Sequence, residues 1–264
     1  MKLRTSRRIV QISSLALFVI IPLLNKAEIS FVSGTLYSMA IGPVWITDPL
    51  IGMQTILTSL RFDGTLLLSM AVPVSIALIA GRVFCSWICP QNTLSEWVDQ
   101  AAIRIGIKRL FPSTAVPRVR TVVTALVLLA APLAGFPLAS LLSAPGIITA
   151  QTAQLIKEGV VGAEVVLIAV ILLSEFFLAR RVWCNTLCPV GGFLALFRIP
   201  RTLRVAFAED ETRVCGRCRS CVDACGLGLD PLTGKIHPLC HNCGDCIASC
   251  EDLKGEKKPL QFRW

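Results

Sequence analysis

The chain has 264 residues, of which 54% are hydrophobic and 16% are charged. Its apolar residues come in long runs, which predicts a polytopic membrane protein and excludes an ordinary soluble domain. The formal net charge of +9 would suit a nucleic-acid binder. Because the basic residues flank the apolar runs, we interpret them as determinants of membrane topology and expect no nucleic acid partner.

The first apolar segment, at residues 9–24, follows a basic flank at residues 1–8. A signal peptide has the same pattern, but no small-x-small cleavage site follows, so we favour an uncleaved membrane helix. Residues 25–63 form a long connection. Within it, the apolar stretch 51–60 is too short to span a bilayer and is predicted to lie in the interface or to re-enter.

Three more spans are predicted at residues 64–84, 121–142 and 161–178, with a short connection at 143–160. Between the second and third spans, residues 91–110 carry apolar side chains at helical spacing, which predicts a short amphipathic helix. The positive-inside rule places the N-terminus, this segment and the residues after the fourth span on one side. Both termini are therefore predicted to be cytoplasmic.

The ends of the second and fourth spans repeat one motif, Arg-Val-Phe/Trp-Cys-x3-Cys-Pro, at residues 82–90 and 181–189. Each copy ends a two-helix hairpin, so the repeat is a parallel duplication. The proline after each motif suits the first position of a new helix. A metal or cluster site, a dithiol relay and plain burial are the alternatives for the four thiols. These thiols belong to Cys85, Cys89, Cys184 and Cys188.

The last fifth of the chain contains two runs with the spacing Cys-x2-Cys-x2-Cys-x3-Cys. Three closely spaced thiolates fit three corners of a [4Fe–4S] cube, and in two-cluster ferredoxins the fourth cysteine of each run serves the other cluster. Structural zinc favours paired Cys-x2–4-Cys knuckles instead, and disulfides suit small secreted domains. The spacing therefore predicts one cluster on Cys215, Cys218, Cys221 and Cys250, and a second on Cys240, Cys243, Cys246 and Cys225.

Together these elements predict an α-helical polytopic membrane protein with a C-terminal ferredoxin-like domain. Residues 1–204 would form four transmembrane helices in a parallel two-hairpin repeat. Residues 205–264 would form an α+β domain with two [4Fe–4S] clusters.

Four spans, two Cys-x3-Cys-Pro motifs on the basic side and paired C-terminal cysteine runs resemble the NapH family of ferredoxin-type membrane subunits. MauN and the membrane half of NosR are related. The resemblance implies a quinol dehydrogenase component of the bacterial inner membrane. It would pass electrons from the membrane quinone pool, through iron–sulfur or multihaem cytochrome partners, toward a periplasmic reductase of the nitrate-reductase type. A redox-sensing or maturation factor for a partner enzyme is the alternative.

Two residue types refine this interpretation. The histidines are His237 and His241, both in the ferredoxin-like part, so haem held by the spans is not expected. We predict that His241 is a surface residue, although a hydrogen bond that tunes a cluster is the alternative. Glu175 lies inside the fourth span and is a candidate proton acceptor in quinol oxidation. The alternative is pairing with Arg180 or Arg181 near the interface.

Overall fold

The computed structural model describes residues 3–28, 31–108, 110, 117–207, 218–231, 239–254 and 260–264. Within these ranges the chain is mostly helical, with a three-stranded sheet near the N-terminus and a two-stranded sheet near the C-terminus.

Helix α1 (Leu3–Lys26) contains the first predicted span. Its 24 residues extend about 36 Å, more than the roughly 30 Å of a bilayer core. Within the described ranges it is the one helix that is long and apolar enough to cross a membrane by length and composition. Its inner face is polar, because Arg7, Gln11 and Ser14 are buried there.

The other three predicted spans are shorter than expected. The second becomes α3 (Gly64–Ala80) and α4 (Val83–Trp87), the third becomes α6 (Pro117–Ala134) and α7 (Ala139–Leu142), and the fourth becomes α9 (Val165–Phe177). Gly81 and Gly135 follow α3 and α6 with φ values of 70° and 75°, a conformation that disfavours residues with a Cβ atom. Helix length alone therefore supports one crossing among the described residues.

The prediction of a plain connection at residues 143–160 was wrong, since helix α8 (Ala144–Glu158) occupies it. The Ser143 hydroxyl accepts a hydrogen bond from the Gly146 N–H at 3.4 Å, Pro145 lies in the first turn, and Gly159 ends the helix in the left-handed conformation. These are ordinary start and stop signals of a helix.

Residues 32–59 are also more ordered than the sequence indicated. Strands β1 (Val32–Gly34), β2 (Ser38–Ile41) and β3 (Val44–Thr47) form an antiparallel sheet, and α2 (Pro49–Ser59) follows. The Asp48 carboxylate caps α2 by accepting from the N–H groups of Leu50 at 2.8 Å and Ile51 at 3.4 Å. The sheet lies on α3, where the Ser69 hydroxyl donates to the Thr47 hydroxyl at 3.0 Å.

The two halves of the chain exchange helices. The long helix α1 of the first half packs against α8 of the second half, and α6 of the second half packs against α2 of the first. The exchange brings the ends of α3 and α9, and hence both Cys-x3-Cys-Pro motifs, to one end of the molecule.

Helix α5 (Pro90–Ile105) confirms the predicted helix after the first motif, but its faces are reversed. Its polar side chains are buried, including Asn92, Glu96 and Asp99, whereas Trp97 is 46% exposed. The second motif is followed by α10 (Pro189–Leu196), which buries Val190, Phe193 and Leu194 as expected for an apolar helix. The polar face of α5 therefore turns toward partners inside the protein.

The C-terminal part packs directly on the helices. Strands β4 (Arg204–Phe207) and β5 (Leu260–Arg263) pair antiparallel, and α11 (Ser220–Asp223) contacts α12 (Asp245–Lys254). Leu3 of α1 joins the small core formed by Cys221, Ile247 and Leu260. The start of the chain and its C-terminal part thus share a hydrophobic cluster.

Candidate functional site

The first Cys-x3-Cys-Pro motif spans the junction of two helices. Cys85 lies in α4, whereas Cys89 is extended and precedes Pro90, the first residue of α5. The Cys89 N–H donates to the Phe84 carbonyl at 2.9 Å and closes the end of α4. The two cysteines are therefore on either side of a bend and not on one continuous helix.

The second motif has a similar shape. Trp183–Leu187 forms a single π-helical turn, and the Cys188 N–H closes it by donating to the Trp183 carbonyl at 2.9 Å. The Cys188 thiol accepts from the Gly191 N–H at 3.4 Å. Because an N–H donor favours the charged form of sulfur, this contact suits a metal-bound thiolate.

The fold brings the four thiols of these two motifs within electrostatic range of one another. Burial and, after it, the charge of Cys85 raise the pKa of Cys188 to about 11. The pKa of Cys89 is raised by burial, by the charge of Cys85 and, to a smaller extent, by that of Cys188. The pKa of Cys184 is raised by burial and by the charges of Glu175, Cys188 and Cys89. A bound cation would reverse this penalty, since metal binding deprotonates a coordinating thiol.

The described residues contain no set of three or more Cys, His, Asp or Glu side chains already close enough to hold a metal ion. The four thiols are neighbours without forming a closed coordination cage. Their donor type fits a sulfur-ligated iron or zinc centre.

Two buried arginines accompany these thiols. The Arg120 guanidinium lies in the field of Cys188, Cys85 and Cys184, and Arg82 is close to both Arg120 and Cys188. Both arginines are almost fully buried. Four thiolates around a core of charge +2 carry a net charge of about −2. Two guanidinium groups therefore balance a metal–thiolate centre, and this agreement of charge is the best sign that such a group fits here.

A second buried network lies on the inner face of α5. Glu96 makes ion pairs of 3.3 Å with Arg7, Arg8 and Arg181 and accepts a hydrogen bond from Gln11 at 3.2 Å. The sequence had indicated that these arginines were topology signals, but Arg7 and Arg181 are buried and paired. Glu96 therefore joins the start of α1 to the second motif.

Two more arginine contacts extend this network along α5 and to α12. Two nitrogens of Arg180 donate to the Asp99 carboxylate. The distance from Nε to Oδ2 is 3.0 Å, and the distance from Nη2 to Oδ2 is 2.7 Å. Arg7 also pairs with Asp245, at the start of α12, at 2.8 Å. The C-terminal part is thus tied by charge to the helix that follows the first motif.

The prediction that His241 is a surface residue was wrong, because it is buried and its ring Nε2 lies 3.2 Å from Arg181 Nη1. Burial, followed by Arg181, lowers the pKa of His241 well below its usual value, so the ring is neutral. The Ser86 hydroxyl donates to the His241 carbonyl at 2.5 Å, and the Trp87 indole donates to the Asn242 carbonyl at 3.2 Å. The turn between Cys240 and Cys243 therefore rests directly on the first motif.

The cysteines predicted for the second cluster meet in the structure. Cys225, Cys240, Cys243 and Cys246 line one cavity of about 50 Å³, together with Leu227. The Leu229 N–H donates to the Cys225 thiol at 3.4 Å. Four cysteine thiols are the donor set that a [4Fe–4S] cube takes, and Arg198 and His241 lie beside them in the same lining.

The set predicted for the first cluster is only partly described, because Cys215 lies outside the described residues. Cys218 is exposed, Cys221 is buried on α11, and Cys250 is half-buried on α12. Since α11 and α12 contact each other, Cys221 and Cys250 belong to neighbouring elements, as the crossed ligand pattern requires.

Glu175 is also buried, with 1% of its surface exposed. Its neighbours are Ser95, Arg181 and the Trp183 backbone, and its charge acts on Cys184. The carboxyl group therefore lies between the arginine network and the second motif, near Arg181 as one of the two interpretations predicted.

Comparisons with known proteins agree with this picture. Residues 62–108 and 161–205 match the Fer4_5 family, a 4Fe-4S binding domain. Each matched segment contains one Cys-x3-Cys-Pro motif, and both end before the C-terminal cysteine runs. The chain is therefore an iron–sulfur, ferredoxin-type electron-transfer protein.

The relatives are more specific. The methylamine utilization ferredoxin-type protein MauN of Methylorubrum extorquens is 33% identical over 227 residues, which cover 83% of this chain and 73% of that protein. The ferredoxin-type protein NapH of Escherichia coli is 26% identical over 81% of this chain and 75% of its own. The regulatory protein NosR of Pseudomonas aeruginosa is 31% identical over 66% of this chain, but only 24% of NosR is covered.

The chain belongs to the NapH/MauN/NosR-like family of 4Fe-4S ferredoxin-type proteins. No solved structure matches it.

Proposed function

We propose that this protein is a membrane-embedded quinol dehydrogenase component. It would cross the bacterial inner membrane four times with both termini in the cytoplasm. Electrons from quinol would pass to iron–sulfur or multihaem cytochrome partners that feed a periplasmic reductase. The MauN and NapH relatives and the apolar helices α1, α3 and α9 support this proposal.

One observation carries the proposal. The turn between Cys240 and Cys243 is hydrogen-bonded to Ser86 and Trp87, inside the first Cys-x3-Cys-Pro motif. Bound [4Fe–4S] clusters accept and release single electrons. The chain's own residues hold the second predicted cluster site against the end of the helices, where a donor from the membrane would arrive.

The buried residues have supporting roles. Cys85, Cys89, Cys184 and Cys188 would hold a further metal or cluster, with Arg82 and Arg120 balancing its charge. Glu175 would place a negative charge beside Cys184, because its carboxylate acts on that thiol. Neutral His241 would fix the second cluster site through its backbone and its contact with Arg181.

The metal content of anaerobically purified protein in nanodiscs tests the cofactor assignment. Two cubane clusters predict about eight iron atoms per chain. Cys243→Ser would lose about four of them. Cys85→Ser would remove the metal bound at the Cys-x3-Cys-Pro thiols and leave the C-terminal clusters intact. Thr186→Ala, in the second motif but outside the thiol set, serves as the control and would leave the metal content unchanged. Equal metal content in Cys85→Ser and wild type would contradict the additional centre.

Reduction of the clusters by quinol tests the activity. Adding a reduced quinol analogue to the wild type should bleach the iron–sulfur absorbance and produce a paramagnetic signal. Dithionite serves as the control that shows the clusters are reducible. Reduction by dithionite but by no quinol would contradict the proposed dehydrogenase.

The alternative role is redox sensing or maturation of a partner enzyme. The similarity to the protein named regulatory protein NosR favours it. A chain with this role would keep its clusters but show no turnover between quinol and any electron acceptor.

A further inference from the structure

A cavity of about 220 Å³ lies between the β1–β3 sheet, the second half of α3 and the start of α10. Its walls are almost entirely apolar, and Thr35, Thr47 and Asp48 are the polar side chains among the described residues that line it. An apolar cavity of about 150 Å³ holds a benzene molecule. This one therefore has room for a substituted six-membered ring.

The two ends of the cavity differ in chemistry. Thr47 and Asp48 lie at one end. At the other end, Phe84 and Ile88 directly precede Cys85 and Cys89 in the chain. The wall formed by α3 runs from Val72 to Ala77, a rise of about 7.5 Å along the helix. The cavity thus offers a carboxylate to a bound ring, and two of its lining residues are next to the thiols in the chain.

The cavity also has an apolar outlet. Val72 and Ile76 belong to its lining and are 42% and 47% exposed. They lie on α3, the helix of the second predicted span. A hydrophobic tail attached to the ring can leave between them toward lipid.

We propose that this cavity binds the ring of a membrane quinol, with one ring hydroxyl donating a hydrogen bond to Asp48 and the ring edge directed toward Cys85 and Cys89. The proposal rests on the function proposed above and adds the place where the quinol binds. The sequence pointed to Glu175 as the proton acceptor. Glu175 lies instead beside Arg181 and Cys184 and is not among the described residues of this lining.

Asp48 has the chemistry that the role requires. Its Oδ1 atom accepts the two N–H groups at the start of α2, and a carboxylate has about four acceptor positions, so a hydroxyl can bind as well. Burial raises the pKa of Asp48 to about 6, and the N–H bonds of Leu50 and Ile51 limit the rise. The group is therefore ionised near neutral pH and close to the range of an effective base.

The titratable group facing Asp48 from the sheet is the Tyr37 phenol. Burial, followed by the Glu164 and Asp48 charges, raises its pKa to about 12. Tyr37 therefore stays neutral while Asp48 titrates. Ser69, which faces Thr47 from α3, does not titrate in this range.

Oxidation of a quinol releases two electrons and two protons and leaves the quinone. Two oxidised [4Fe–4S] clusters, when bound, would supply acceptors for one electron each. The Asp48 carboxylate takes the protons one at a time and passes each to water before it accepts the next.

Photo-crosslinking tests the binding site without relying on turnover. The full chain in nanodiscs is labelled with a photoactivatable azidoquinone, with and without excess unlabelled quinone, and the adducts are mapped by mass spectrometry. Adducts within residues 35–49 or 72–88 that unlabelled quinone suppresses would support the proposal. Adducts elsewhere, or labelling that phospholipid suppresses and quinone does not, would overturn it.

A matched pair of substitutions tests the same cavity. Val72→Trp would fill it, and Val170→Trp places the same bulk on α9 at a valine that is 55% exposed and outside the lining. We expect Val72→Trp to weaken quinone labelling by about tenfold or more, equivalent to about 1.4 kcal/mol, and Val170→Trp to leave it unchanged. Equal labelling of both variants would overturn the cavity as the site.

A second pair addresses the carboxylate. Asn caps a helix as well as Asp, so Asp48→Asn should fold and bind quinone but lose the rise in quinol-dependent cluster reduction as pH passes through about 6. Asp63→Asn, at the exposed cap of α3, should keep that rise. An unchanged pH profile in Asp48→Asn would overturn the role of this residue.

These outcomes separate the two proposals. Reduction by quinol with labelling outside the cavity would overturn the site and keep the dehydrogenase function. Specific labelling in the cavity without reduction by quinol, in protein that dithionite reduces, would keep the site and overturn that function.

Discussion

Single buried charges decide much of this structure. Glu96 is surrounded by three arginine side chains, and Asp99, Asp245 and Glu175 lie at the margins of the same region. Counting charges along the sequence predicted solvent-facing basic flanks. That reasoning did not anticipate the burial, because the carboxylates that neutralise the arginines are distant in sequence and their pairing depends on the tertiary fold.

Replacing Glu96 with Gln removes the charge that Arg7 and Arg181 share. Leaving buried guanidinium groups without their ionic partner should lower the free energy of unfolding by about 3–5 kcal/mol. Denaturant unfolding in detergent would measure the loss. Glu158→Gln, at a carboxylate whose hydrogen bond to Gln154 is exposed, should change stability by less than about 0.5 kcal/mol; a similar loss in both variants would contradict a central role for Glu96.

Asp48 should reduce stability above pH 6. Its folded-state pKa, about 6, is higher than the ordinary value of 3.8, so the folded state binds more protons between these values. The stability contributed by Asp48 therefore falls as pH rises through this interval and stays low above it. Asp48→Asn should raise the unfolding midpoint at pH 8 more than at pH 4.

Asp63, whose pKa is shifted in the opposite direction, serves as the control for Asp48. The Thr65 hydroxyl and N–H lower the pKa of the exposed Asp63 carboxylate. Its contribution is therefore present above the ordinary range of an aspartate and is lost as pH falls. A gain at pH 8 in Asp63→Asn equal to that in Asp48→Asn would contradict the assignment.

At the scale of elements, sequence patterns predicted which segments are helical better than where those helices end and what they bury. Pro90 and Pro189 begin helices as predicted, and α1 and α5 lie where apolar periodicity placed them. The missed helix α8 has moderate hydropathy, so its capping residues were its only clear signal. The faces of α5 were reversed because apolar periodicity identifies a face without saying whether protein or lipid covers it.

Contact between α10 and α6 depends on one glycine. A Cβ atom on Gly192 would lie 1.9 Å from the Thr124 hydroxyl oxygen, whereas one on Gly191 would meet its nearest atom, the Cys188 sulfur, at 3.6 Å. Gly192→Ala should therefore destabilise the protein by about 1–3 kcal/mol through overpacking. Gly191→Ala should be neutral or slightly stabilising, because alanine favours helix.

A double mutant isolates that contact. Thr124→Ala removes the hydroxyl that Gly192→Ala would strike, so the two changes together should cost less than the sum of the separate changes. Additive losses, measured by denaturant unfolding, would show that the close approach of α10 and α6 is not the cause.

At the scale of the whole molecule, the repeat in the sequence predicted two equivalent motifs at one end, and the structure places them there. The exchange of helices between halves was not predictable, because it requires knowing which helix lies beside which. Spacing alone predicted a ligand set for each cluster, and the four cysteines of the second set line one cavity. The spacing of the cysteines did not indicate that the turn between Cys240 and Cys243 packs on Ser86 and Trp87.

Topology gives a test of the complete arrangement. The exposed tip between α2 and α3, where Phe62 is 84% exposed, should face the periplasm, and a C-terminal tag should face the cytoplasm. A protease site inserted between Arg61 and Phe62 should be cut in intact spheroplasts, and the tag should be cut only in inside-out vesicles. Cleavage of both from the same side would contradict four crossings.

The exchanged helices have one more consequence. Each half packs its first helix against the other half, as two intertwined chains of a dimer would. Because the halves are joined in one chain, their association does not depend on protein concentration. Fusion also frees the halves to diverge. Where α5 carries Glu96, the aligned position of α10 is Ala195, and the position aligned with Asp99 is Arg198, just beyond the end of α10. The carboxylates that pair with Arg180 and Arg181 are therefore present in the first half alone, so the duplicated motifs are no longer equivalent in charge.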